Sequence, residues 1–169
     1  MRRIKAWLAA GMIVGAMAAA VIPGAAQGGD TVLGAAEAGK LLPEKVYFKG
    51  QSATTQLRNS GGVKFADGQY VLAVAVDTSG YSSDVAQRYQ AYLIAERPID
   101  VEGHKLVAGV YGVGFVGGQF VVMDIGAHDV FSVAAHHDEA IKRPTPLKIT
   151  EDGGKFRLYE GRNYVGFSR

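Results

Sequence analysis

Short apolar runs, many of them alternating with polar positions and broken by glycine-rich or acidic turns, fill the chain from residue 46 onwards. That period predicts strands over helices. Residues 110–125 give the clearest case: Val-Tyr-Gly-Val-Gly-Phe-Val, then Gly117-Gly118, then Gln-Phe-Val-Val-Met-Asp-Ile. Paired glycines permit the positive φ angles of a tight turn, and Val, Phe and Tyr suit a pleated surface, so a central β-hairpin is expected. With the turn at Gly117 and Gly118, opposed residues sum to 235. One face then carries Tyr111, Val113, Phe115, Phe120, Val122 and Asp124, and the other pairs Gly112 with Met123 and Gly114 with Val121. A glycine opposite a bulky residue leaves room for a second layer or a ligand to approach. Gly112, Gly114 and Gly117 also spell a dinucleotide fingerprint, but a strand former follows where that motif needs a helix, so no nucleotide site is expected.

The remaining elements follow the same logic. Asp67-Gly68 is a strong turn signal between residues 63–66 and the run 69–76, whose low polarity predicts a strand covered on both sides. Further strands are expected at 46–48, 89–95, 98–101, 130–133, 147–150, 156–159 and 164–167, with small hairpins turning at Glu102-Gly103 and at 151–154. Residues 50–62 read as a polar, turn-rich segment and 77–84 as a loop. Two short helices are expected: one over 35–42, stopped by Pro43 and with Asp30 as a candidate N-cap, and a single turn near 137–143 ended by Pro144. The pattern predicts an all-β, mainly antiparallel fold, a β-sandwich or a small β-barrel.

The start of the chain changes the picture. Arg2, Arg3 and Lys5 precede an uncharged run from residue 6 to 22, followed by Pro-Gly-Ala-Ala, the pattern of a secretory signal peptide cleaved after Ala26. The expected organisation is a signal peptide at 1–26, a tether or short helix at 27–44 and a single antiparallel β domain at 45–169. The remaining 143 residues can bury one core, and no stable membrane span is expected after cleavage. Three of the 18 basic residues and none of the 16 acidic ones lie in the leader, so the rest carries a net charge of −1. No basic stripe with interleaved aromatics occurs, which gives nucleic-acid binding no support. Cysteine is absent, so there is no thiol chemistry, and the exported fold would rest on its core alone. The expected location is outside the cytoplasm, periplasmic or secreted.

Residues 99–113 (Ile-Asp-Val-Glu-Gly-His-Lys-Leu-Val-Ala-Gly-Val-Tyr-Gly-Val) resemble a pattern in uncharacterised exported bacterial β-domains, in which Ala-Gly-x-Tyr-Gly leads into a central hairpin. Residues 48–53, 57–62, 77–81 and 161–164 resemble hypothetical secreted proteins. The resemblance implies a sandwich or barrel and export, and no catalytic residues.

Two sets of residues are candidates for function. Tyr111 opposite Asp124, near Phe115 and Phe120, would place an acceptor and aromatic surface on one sheet face, the composition of many small-molecule pockets and equally of an ordinary core. His128, Asp129, His136, His137 and Glu139 offer imidazole and carboxylate ligands for Zn or another divalent metal, without any His-Glu-x-x-His spacing. Adjacent His136 and His137 point apart on a strand or a helix, and the same segment reads as a solvated loop before a helical turn. Ser52 and Ser79 lack a nucleophile-elbow context, and Asp77-Thr-Ser-Gly80 has turn composition. The leading expectation is a non-enzymatic exported β-domain, needing no cofactor, that binds a small ligand or another envelope protein. The alternative is a metal-dependent hydrolase built on the histidine cluster.

Overall fold

The structure, a computed structural model, describes residues 28–169; the expected signal peptide lies outside the described residues. The chain forms β1 (Thr31–Leu33), α1 (Ala35–Ala38), β2 (Lys45–Phe48), β3 (Gln51–Lys64), β4 (Tyr70–Val76), α2 (Ser83–Arg88), β5 (Ala91–Ala95), β6 (Ile99–Val101) and β7 (His104–Leu106). These are followed by β8 (Gly109–Val116), β9 (Gln119–Met123), β10 (Asp129–Ala134), β11 (His136–His137), β12 (Thr145–Asp152), β13 (Lys155–Gly161) and β14 (Asn163–Ser168). One sheet has the order β1-β3-β4-β5-β8-β9-β10, with β2 also paired to β3; the other has the order β12-β13-β14-β6-β7, with β11 also on β14. The sheets are antiparallel and do not close into a barrel, so of the two expected architectures the fold is sandwich-like.

The central hairpin has the register expected from its turn. Gly112 pairs with Met123, Val113 with Val122, Gly114 with Val121 and Phe115 with Phe120. Gly117 and Gly118 take φ of 59° and 76°, which L-residues rarely adopt. Tyr111, Val113, Phe120 and Val122 enter a core shared by the two sheets, with Phe65, Leu93, Leu147, Phe156, Leu158 and Phe167.

The opposite face of the first sheet is covered as well. A second core joins Leu72, Val74, Met123 and Tyr92 to Leu42, Phe48, Val85 and Tyr89 from β2, the helices and their connections. The run at 69–76 is therefore buried on both sides, Val71 and Ala73 facing one core and Leu72 and Val74 the other. The small residues make room for this second layer: a side chain at Gly112 would collide with Phe48 and Tyr89, whose rings stack at 4.0 Å.

Several expectations are corrected. Residues 51–64, read as turn-rich, form the longest strand, β3. Its buried hydroxyls find backbone acceptors: Thr55 donates to the Pro43 carbonyl at 2.6 Å and Ser60 to the Leu57 carbonyl at 2.6 Å. Its glycines allow the sheets to meet, since a Cβ on Gly61 would lie 2.9 Å from the Ile149 backbone nitrogen. The loop expected at 77–84 gives way to α2 from Ser83 onward. No helical turn forms at 137–143; His136 and His137 instead pair with Tyr164 and Asn163. Of the two readings of 27–44, a tether or a short helix, the helix forms as α1, and the segment packs on the domain: β1 pairs with β3, and Ala38 and Leu42 are buried. Asp30 caps no helix; it accepts from the Ala66 amide at 2.9 Å and pairs with Arg169, while Gly34 occupies the N-cap of α1. Among the described residues, no helix is long and apolar enough to cross a membrane.

Candidate functional site

Strand pairing is irregular at one end of the two sheets. On β3 the register slips between Thr55 and Ser60, and on β12 it slips between Thr145 and Lys148. Bulges bend a strand and increase its local twist. Both irregularities fall at the same end of the sandwich, where β4, β8 and β13 end and β5 begins. Between the sheets there, a cleft of about 560 Å³ opens to solvent, lined among others by Gln56, Thr78, Gln90, Phe115, Glu160 and Asn163.

Strand alternation places Glu160 in this cleft. Phe156 and Leu158 face the core between the sheets, and two residues further along β13 the same face presents Glu160, just before Gly161 turns the chain with φ of 63°. Beneath the cleft lies a small apolar throat bordered by Ala91, Val113, Phe115, Leu147 and Leu158, with Glu160 at its upper edge. Burial pushes the Glu160 carboxyl up to about 7, the Phe115 backbone opposing this only in part. Among the described residues, no Lys, Arg or His forms an ion pair with it.

Gln90 holds the opposite wall. Its side-chain oxygen accepts from the Phe115 amide at 2.5 Å and its amide nitrogen donates to the Phe115 carbonyl at 3.3 Å. In effect the side chain continues β5 alongside β8, which runs past the end of its neighbour. The arrangement fixes the Phe115 backbone and leaves its half-buried ring, packed on Phe120 at 4.9 Å, at the cleft wall.

Of the four residues expected to bind a ligand, Phe115 alone lines this cleft. Tyr111 and Phe120 are buried in the shared core, and the Tyr111 hydroxyl donates to the Val107 carbonyl at 2.9 Å. Asp124 lies beyond the end of β9 and closes its own loop, accepting from the Gly126 and His128 amides at 2.8 and 3.0 Å. Those bonds hold its carboxyl below the usual range, that from the His128 amide contributing most. It makes no pair with Tyr111.

The expected metal ligands are dispersed. The His128 Nδ1 lies 3.1 Å from Asp124, Asp129 pairs with Arg88 at 2.6 Å, and the His137 Nδ1 lies 2.9 Å from the Asn163 side-chain oxygen. His136 stacks on Tyr164 with its Nε2 3.1 Å from Glu102, and Glu139 is exposed. Among the described residues, no group of three His, Asp or Glu side chains is placed to hold a metal ion. Ser79 donates its amide to Asp77 at 3.0 Å, closing a turn of the kind its composition predicts.

Sequence reasoning missed Glu160, Gln90, Thr78, Gln56 and Asn163. The available signal was the alternation of β13: extending Phe156 and Leu158 by two positions puts a carboxyl on an apolar face. Comparison with protein-family models, curated proteins and solved structures found no match to this chain.

Proposed function

We propose that this protein is an exported, non-enzymatic β-sandwich that binds a small molecule in the cleft between its sheets. The observation that supports this reading is Glu160, a half-buried carboxyl without a cationic partner among the described residues, facing a solvent-open cleft of amide, hydroxyl and aromatic groups. An unpaired carboxyl at the edge of an apolar throat costs free energy in the empty protein, and a ligand that bonds to it recovers part of that cost. The volume lies within the usual range of small-molecule pockets. Recognition would come from the convergent polar groups and the Phe115 face. Export follows from the leader pattern at 1–26.

The test is a fragment screen by two-dimensional amide NMR on the protein recovered from expressing cells. Saturable shifts at Thr78, Gln90, Phe115, Gly161 and Asn163, absent from the loop at 124–128, are the expected outcome. A library that leaves all of these amides unmoved, or that moves only residues elsewhere, would remove the reading.

A further inference from the structure

Resting on the small-molecule reading above, we infer that the ligand class is a small organic ammonium compound, its protonated amine bonded to the Glu160 carboxylate and its carbon chain against Phe115. Among the described residues, no Lys, Arg or His lines the cleft. Glu160 supplies a carboxylate and Thr78 a hydroxyl oxygen, while the side-chain oxygens of Gln56 and Asn163 already face the Asn59 amide nitrogen at 2.7 Å and the His137 Nδ1 at 2.9 Å. Phe115 adds an aromatic face, which attracts a cation through its quadrupole. An ammonium group donates up to three hydrogen bonds and carries the charge that the carboxylate lacks. A carboxylate or phosphate ligand would meet Glu160 as a like charge with nothing to neutralise it.

The basic groups on the surrounding elements lie outside the cleft lining. Arg88 at the end of α2 pairs with Asp129, Arg157 on β13 pairs with Asp152, and the Arg162 Nε donates to the Ile141 carbonyl at 2.9 Å. The Lys148 ammonium lies 4.8 Å from the Tyr159 ring centroid, and Arg58 on the β3 bulge lines the neighbouring depression with Glu44 and Leu57 and not the cleft. Asp77, next to Thr78, is occupied by its Ser79 turn. Among the described residues, Glu160 is the one titratable side chain lining the cleft, so ionisation of the site follows this residue.

Titration calorimetry with 1,4-diaminobutane, and with 1,4-butanediol as its uncharged counterpart, tests the assignment. At pH 8 the diamine should bind saturably, and Glu160→Gln should weaken it at least about tenfold, the scale of one partly desolvated charge pair. Glu139→Gln, at an exposed position, should leave affinity unchanged, and affinity should fall as the pH drops through 7 towards 6. Equal affinity for the diol, an undiminished Glu160→Gln, or no saturable diamine heat would each overturn the ammonium assignment. The NMR screen separates the two levels. Neutral or anionic fragments shifting the cleft amides while the diamine fails would remove the ligand class alone, whereas silence at those amides would remove the binding cleft itself.

Discussion

Among the described residues, Glu160 is a half-buried carboxyl with no ion-pair partner and Tyr89 a buried hydroxyl with no hydrogen-bond partner. The folded-state pKa of Glu160, about 7, is raised from 4.5. Its contribution to stability is therefore fully present below about pH 4.5 and is lost as the pH rises through 7. Because the carboxyl is only half-buried, the loss is discounted for screening to about 1–2 kcal/mol. Glu160→Gln should unfold at a higher denaturant midpoint than the parent at pH 8 and at nearly the same one at pH 5; an equal gain at both would place the effect in packing. Tyr89 is fully buried, with its hydroxyl lacking a partner among the described residues, and burial holds its pKa above the ordinary range. Tyr89→Phe removes the unmatched hydroxyl and keeps the stack on Phe48. It should stabilise by about 1 kcal/mol, read as a shift of denaturant midpoint at constant slope.

Elements differ in how firmly the surroundings hold them. β4 lies between β3 and β5 and is buried on both faces, whereas β10 pairs with β9 alone and exposes four of its six residues. In native-state hydrogen exchange, amides of Val71–Val74 should therefore exchange only through global unfolding. Those of Val130 and Ser132 should exchange at least about a hundredfold faster through local fraying. Comparable protection in the two strands would contradict this ranking. The same contrast governs legibility. The β8–β9 hairpin was readable to the residue because Gly117 and Gly118 fix a turn, a turn fixes a register, and a register fixes both faces. β3 was not readable, because its Thr and Gly serve partners outside the strand: the Pro43 carbonyl for Thr55, and the approach of Ile149 for Gly61.

On the scale of the molecule, the cleft lies at the end where two strands from different sheets lose register, the bulge after Thr55 on β3 and the one after Thr145 on β12. Those positions lie some ninety residues apart in the chain, and nothing local at either announces the other. The candidate ligand set of Tyr111, Phe115, Phe120 and Asp124 came from one hairpin, which can place residues on a face but cannot say which of them the opposing sheet will cover. Tyr111 and Phe120 are covered and Phe115 stands at the opening. The histidine cluster likewise depended on loops: His128 turns back to Asp124, while β11 carries His136 to Glu102 and His137 to Asn163. By itself the sequence determined the strand class, the main turns, the central register and the two-sided burial of β4, all properties of alternation and turn chemistry over a few residues. Only the tertiary structure decided that the sheets form an open sandwich, that residues 31–42 belong to it, and that Glu160 meets Gln90 and Phe115 across a cleft. Which sheet covers which face, and where the two fail to meet, depends on contacts between residues far apart in the chain.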